Sequence, residues 1–187
     1  AHSSSADLRI PSGVTYNSVS MTQVGSTVTT GNFSLSVWRL TGPATGSNTV
    51  AVTFSGTPGT NNVITAANSF YGVDQSTPLG TPATANSAST SPTVDVGTAI
   101  GDLAYDAMLE SGGSGAGNTA GSGQTERYDV DSGTAIGAAG SHETAAGTTT
   151  TMSWGLGTSA TWATLGVAIK PGSGAASATI QVTASPS

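Results

Sequence analysis

The chain has few charged residues and no cysteine. Only 7% of its 187 residues are Asp, Glu, Lys or Arg, whereas an ordinary soluble domain has about 25%. Catalytic and metal sites are built largely from ionisable groups, so this composition disfavours an enzyme. The absence of cysteine excludes disulfides, thiolate metal sites and a cysteine nucleophile within this chain.

The basic residues are also too few and too scattered for a nucleic-acid partner. Arg9, Arg39, Arg127 and Lys170 stand singly, whereas binding to phosphates needs a clustered basic face. No apolar run approaches the roughly 20 residues of a membrane span, so membrane insertion is not expected. A surface of Ser, Thr, Gly, Ala and Asn is typical of an extracellular, cell-surface or virion-surface protein.

Apolar and polar residues alternate in many short segments separated by turn residues. Val50, Val52 and Phe54 give the clearest half-buried strand. We prefer a strand to a helix for 102–110, and expect long loops at 82–92 and 111–123. Further strands are predicted around Val14, Val19, Phe33, Trp38, Val63–Ile64, Phe70, Val94, Arg127, Met152 and Val167. About ten such strands predict an all-β fold over residues 1–171, an antiparallel two-sheet β-sandwich that is jelly-roll-like.

Residues 172–187 form a separate segment in the sequence. The stretch 172–175 is a Gly/Ser linker. A short amphipathic strand follows, with Ala178, Ile180 and Val182 on one face. These three residues are the candidates for an assembly strand.

Several motifs together carry a resemblance to a known family. They are Gly13–Asn17, Met21–Gly25, Leu35–Trp38, Gly72–Pro78 and Trp162–Pro171. As a set they resemble a recurring β-sandwich module of large bacterial secreted, surface-repeat and phage structural proteins. The resemblance implies a structural role and carries over no enzymatic activity and no site residues.

The chain departs from that module at both ends. The apolar strand that normally precedes Val14 is missing, and the strand after residue 177 resembles the missing one. The spare strand can complete its own sheet, or it can complete the sheet of a neighbouring subunit by donor-strand complementation. A third interpretation is a plain linker to a further domain.

Few residues are candidates for chemistry. Facing carboxylates of a glycosidase could come from Asp102 and Asp106, or from Asp129 and Asp131, but both pairs are expected to be exposed strand acids. His142 and Glu143 are expected to be solvated on opposite faces of a strand. We therefore predict no catalytic residue, no metal site and no cofactor. Calcium is the one ion considered, with oxygen ligands from Asp74, Asn118, Asp129 and Asp131.

The tryptophans are candidates for core or ligand contacts. Trp38 and Trp162 lie in apolar alternating runs and are expected in the core. Trp154 lies among Thr, Ser and Gly, so it is the best candidate for an exposed sugar-stacking platform, with Tyr128 and Tyr71 behind it. A core position is nevertheless the preferred interpretation, even for Trp154.

The sequence favours a non-enzymatic structural module of an extracellular filament, surface layer or virion. Its partners would be copies of itself or neighbouring domains of the same assembly, joined by β-strand complementation. The alternative is a carbohydrate-binding adhesion module that uses Trp154 and Tyr128 to hold a glycan.

Overall fold

A computed structural model describes residues 10–31, 33–54, 63–112, 117–132, 136–173 and the backbone of 179–181. Regular structure in these residues is β throughout, and every strand pairing is antiparallel, which confirms the predicted all-β sandwich. The strands are β1 (Pro11–Tyr16), β2 (Val19–Ser20), β3 (Thr22–Thr30), β4 (Phe33–Arg39), β5 (Val50–Phe54), β6 (Ser69–Tyr71), β7 (Ala83–Ser89), β8 (Thr93–Gly97), β9 (Leu103–Ser111), β10 (Thr119–Ala120), β11 (Thr125–Asp131), β12 (Ile136–Thr144), β13 (Thr149–Gly155), β14 (Ala160–Ile169) and β15 (Thr179–Gln181).

A five-stranded sheet of order β11-β12-β9-β14-β7 forms the centre of the fold. Strand β9 lies between β12 and β14, and its residues 103–110 are all buried. A strand that is packed on both faces has no side facing solvent. Its sequence is therefore a continuous run of mostly apolar residues and does not alternate between apolar and polar residues. This double burial explains why the acids of β9 are inside the protein.

The two faces of the central sheet pack against different layers. On one face Leu165, Val167 and Ile169 pack with Val24 and Val28 of the hairpin β3–β4. The opposite face packs on the sheet β10-β13-β8, through clusters that include Trp162, Met108, Met152 and Ala168. A third sheet, β2-β1-β5, completes the N-terminal part.

Gly166 of β14 allows a close approach between two of these layers. A Cβ at this position would lie 2.5 Å from Cγ2 of Val96 and 3.1 Å from Cγ1 of Val94. We expect Gly166→Ala to lower the free energy of unfolding by about 1–3 kcal/mol, because the sheets must separate to admit a methyl group. Urea unfolding measures the change. Gly13→Ala is the control, since no atom lies within 4 Å of its added Cβ, and an equal loss there would contradict the packing explanation.

Two predictions about local structure are wrong, and one strand was missed. Residues 82–92, predicted as a loop, contain β7, which pairs with β14 along seven residues. Its small polar side chains carry no apolar alternation, so its backbone pairing was invisible in the sequence. Val63–Ile64 was predicted as a strand and has no strand partner among the described residues. Strand β12 was not predicted, because Ala and Gly dominate its buried half.

Candidate functional site

The middle of strand β9 carries a buried carboxylate, Asp106. Its Oδ1 accepts hydrogen bonds from the backbone N–H of Ser141 at 2.9 Å and from Ser141 Oγ at 2.7 Å. Its Oδ2 accepts one from Trp154 Nε1 at 2.6 Å. These donors come from the neighbouring strand β12 and from β13 in the facing sheet. They satisfy a side chain that is 0% exposed, as a buried carboxylate requires.

Burial controls the titration of Asp106. Removal from water disfavours the charged carboxylate and raises the pKa of Asp106 to about 6. The hydrogen bonds from Ser141 and Trp154 act in the opposite direction and only partly offset the burial. A carboxyl group with this pKa can accept a proton and return it close to neutral pH.

The polar network continues from Ser141 to Gln124, just before β11. Gln124 Nε2 donates to Ser141 Oγ at 2.7 Å. Gln124 Oε1 accepts hydrogen bonds from the backbone N–H of Ser153 at 2.7 Å and from Ser153 Oγ at 3.3 Å. The turn that positions Gln124 is tight, because a Cβ on Gly121 would lie 2.5 Å from Gln124 Oε1. The carboxamide is therefore held between β12 and β13.

A second polar group lies on the opposite face of β9. The hydroxyl groups of Tyr105 and Tyr128 share a hydrogen bond, and Asn68 Nδ2 donates to Tyr105 Oη at 2.9 Å. Phe70 packs edge-on against Tyr105 with ring centroids 5.7 Å apart. Burial raises the pKa of Tyr105 to about 12 and that of Tyr128 well above its usual value. Both phenols therefore stay protonated and act as hydrogen-bonding groups.

Arg127 and His142 contact each other across the pair β11–β12. Arg127 Nε lies 2.8 Å from His142 Nδ1, and Arg127 Nη2 lies 2.7 Å from His142 Nε2. Burial, followed by the positive charge of Arg127, lowers the pKa of His142. His142 is thus a half-buried, neutral partner of Arg127 and not the solvated residue that the sequence predicted.

Trp154 is buried, as its preferred core interpretation predicts, and it does not form the exposed platform that was the other possibility. It is 3% exposed and packs with Met108 and Ala139. The small polar neighbours that indicated exposure in the sequence face away from a ring that fills the space between two sheets. Tyr128 is half-buried, with its ring over Gly140. Because Trp154 and Tyr128 lie on opposite faces of the central sheet, they do not form one surface.

The other aromatic candidates divide between core and surface. Trp162 is buried as predicted, and its Nε1 donates to Ser89 Oγ at 2.9 Å. Trp38 is half-buried, and its Nε1 is a buried donor without a hydrogen-bond partner in the described part of the chain. Tyr71 is 57% exposed, which makes it the aromatic side chain of the predicted set that can meet a ligand.

The acids considered for calcium act as hydrogen-bond acceptors. Asp129 Oδ2 accepts from the backbone N–H groups of Gly117 and Asn118, and its Oδ1 accepts from Asn118 Nδ2 at 3.0 Å. Asp74 Oδ1 accepts from two N–H groups of the following turn, and these bonds lower the pKa of Asp74. Asp131 lies exposed at the end of β11. Within the described ranges, no three carboxylate or imidazole groups lie close enough to share a cation.

Asp102 and Asp106 were expected to be exposed strand acids, and that prediction is wrong. Asp102 is 7% exposed, and its Oδ2 accepts a hydrogen bond from the backbone N–H of Ala99 at 2.8 Å. Asp106 is buried because β9 is covered on both faces, and Asp102 is buried at the position just before β9 begins. Both side chains are thus almost fully shielded from solvent.

Two shallow grooves open on the surface, and residues from the segment 73–82 contribute to the walls of both. The first has a volume of about 310 Å³, and Arg39 and Thr77 contribute to its wall. The second, of about 340 Å³, is lined by Val73, Asp74, Gln75, Ser76, Gly172 and Ser173. Both are polar and open to solvent, so they suit a hydrophilic ligand better than an apolar one.

The C-terminal strand pairs with its own chain. Strand β15 lies antiparallel to β6, with Thr179 opposite Tyr71, Ile180 opposite Phe70 and Gln181 opposite Ser69. Since Phe70 packs on Tyr105, this pairing places the strand beside the main core. The other two residues predicted for the assembly strand, Ala178 and Val182, lie outside the described residues.

Comparisons with protein-family models, with curated proteins and with solved structures found no match. In the described part of the chain, no helix is long and apolar enough to cross a membrane.

Sequence reasoning missed Gln124, Ser141 and Ser153. Ser and Gln are abundant and unremarkable in this chain, and their proximity arises only from the pairing of β12 with β9 and the packing of β13. A usable signal was present in β9 itself. Asp106 is an acid in a run of apolar residues, so a strand assignment already implies a buried carboxylate that needs nearby donors.

Proposed function

We propose that this chain is a non-enzymatic structural module that associates with copies of itself, or with neighbouring domains, by exchanging its C-terminal strand. The assembly would be an extracellular filament, a surface layer or a virion. The observation that carries the proposal is the pairing of β15 with β6, which joins the two strands by three residue pairs. The sparsely charged surface supports it, because backbone pairing needs no ionisable groups.

The pairing of β15 has the features of an exchangeable contact. In the described residues, β6 has no other strand neighbour, so β15 is its one ladder partner. The strand follows the linker that begins at Gly172, and a strand on a linker can reach its own β6 or the β6 of a second copy. Because the same contacts form in either arrangement, exchange costs little beyond the entropy of association.

Truncation tests the proposal. We expect the full chain to form oligomers in size-exclusion chromatography with light scattering, and a version ending at Gly172 to be monomeric. A version ending at Val182 is the matched control, since it keeps the paired residues 179–181 and should still associate. A full chain that is monomeric at every concentration, or a truncated chain that still associates, would contradict strand exchange.

Carbohydrate binding is the second candidate, and the exposed ring of Tyr71 favours it. Tyr71 precedes Val73 and Asp74, which line the larger polar groove, and sugars stack on exposed aromatic faces. We expect Tyr71→Ala to reduce binding to an immobilised glycan array at least tenfold while the far-UV spectrum is unchanged. Ile100→Ala is the control, because Ile100 is also exposed and does not line the groove. Absence of glycan binding by the wild-type chain excludes this candidate.

A further inference from the structure

The network around Ser141 places a hydroxyl group between a carboxylate and a carboxamide. Ser141 Oγ donates to Asp106 Oδ1 at 2.7 Å and accepts from Gln124 Nε2 at 2.7 Å. On the far side of the carboxamide, Gln124 Oε1 accepts hydrogen bonds from the N–H and Oγ of Ser153. A nucleophile, an adjacent base and a carbonyl group held by two donors are the components of acyl transfer.

We propose that Ser141 Oγ condenses with the side-chain carboxamide of Gln124 to form an internal ester, with release of ammonia. The product is a covalent link between the turn before β11 and the middle of β12. This modification is independent of the strand exchange proposed above, and each can fail without the other.

The reaction balances without an external reagent. Asp106 accepts the Ser141 Oγ proton while the bond from Oγ to Gln124 Cδ forms, and negative charge moves to Oε1. Ser153 N–H and Oγ–H stabilise that charge, because they already point at Oε1. The carbonyl group then re-forms, the bond from Cδ to Nε2 breaks, and Asp106 returns its proton to the departing nitrogen, which leaves as ammonia.

The distances and the surroundings suit this reaction. A hydroxyl hydrogen-bonded to an amide nitrogen at 2.7 Å lies roughly 3.5 Å from the amide carbon. Because this hydrogen bond lies in the plane of the carboxamide, the carboxamide must turn about its Cγ–Cδ bond to present its face to Ser141 Oγ before attack. Ser141 and Asp106 are fully buried, which limits competing attack by water. Gln124 is half-buried, so ammonia can leave at the edge of the site. The raised pKa of Asp106 allows one group to serve as base and then as acid.

The sequence provides a direct readout by mass spectrometry. We expect the intact mass of the folded full-length chain to lie about 17 Da below the value calculated from its sequence, because ammonia is lost when the Gln124 acyl group is transferred to the Ser141 hydroxyl. Trypsin cuts after Arg39 and Arg127 but not between Lys170 and Pro171, so Gln124 falls in the peptide 40–127 and Ser141 in the peptide that begins at Tyr128. The two peptides should appear joined, and hydroxylamine should separate them.

Two substitutions test the roles of Ser141 as the nucleophile and Asp106 as the base. Ser141→Ala should restore the full mass and separate the peptides, and Asp106→Asn should slow the reaction at least a hundredfold. Ser36→Ala is the matched control, since it removes a hydroxyl that is hydrogen-bonded to Thr27 Oγ1 at 3.0 Å and lies outside this network, and the cross-link should still form. A folded wild-type chain of full calculated mass overturns the proposal, as does a mass deficit that maps to other residues. The mass of the folded wild-type chain therefore tests the proposal even if the variants fail to fold.

Discussion

Trp154→Phe is expected to lower the free energy of unfolding by about 3 kcal/mol, because it leaves a buried acceptor of Asp106 without its donor. The bond removed is a 2.6 Å hydrogen bond from the indole N–H to the carboxylate. A phenyl ring keeps most of the apolar contact with Met108 and Ala139. Chemical denaturation monitored by the remaining tryptophans measures the loss.

Trp38→Phe is the natural comparison for this substitution. The indole N–H of Trp38 is buried without a partner in the described residues, so its removal leaves no other group unsatisfied. We expect a change within about 1 kcal/mol. Equal losses in the two variants would show that ring size, and not the bond to Asp106, determines the cost.

The stability of the protein is expected to fall as pH rises from about 4 to about 6, through the titration of Asp106. The folded state raises the pKa of Asp106 from 3.8 to about 6. Within that window the folded chain keeps a proton that the unfolded chain has lost, so increasing pH favours unfolding. The full effect is about 3 kcal/mol. Asp106→Asn should remove this slope.

Two other groups change the stability with pH in the opposite direction to Asp106, so the effect of Asp106 must be measured as a difference between two proteins. The lowered pKa of His142 gives stability that is present above its ordinary value of 6.5 and is lost as pH falls. The lowered pKa of Asp74 likewise gives stability that is lost as pH falls, but at lower pH than for His142. The informative quantity is therefore the difference between wild-type and Asp106→Asn profiles, measured by urea unfolding from pH 4 to 8. Parallel profiles would contradict a raised pKa of Asp106 in the folded state.

The strand pattern was predictable wherever large apolar residues alternate with polar ones. Val50 to Phe54 and Val94 to Val96 became strands for this reason. Strands β7 and β12 were not predictable in this way, because Ala, Gly and Ser dominate them. In β12, Gly140 leaves room for the ring of Tyr128, so the small residue is itself the packing feature.

The polar network depended on information that a single sequence does not contain. The position of Asp106 within an apolar run was visible, but its partners come from residues 124, 141, 153 and 154 on other elements. Their approach requires the register of β12 against β9 and the face on which β13 packs. Trp154 shows why local sequence is not enough: its small polar neighbours suggested exposure, but its ring points into the core.

Engineered cysteines test strand exchange most directly, since the chain has none of its own. Ser69 and Gln181 are opposite each other in the pairing of β6 with β15, close enough for a disulfide after substitution. The variants Ser69→Cys and Gln181→Cys are unfolded, mixed, refolded together and oxidised. Strand exchange predicts a disulfide-linked dimer containing one chain of each variant. A disulfide that forms only within a chain carrying both substitutions, with no mixed dimer, would contradict it.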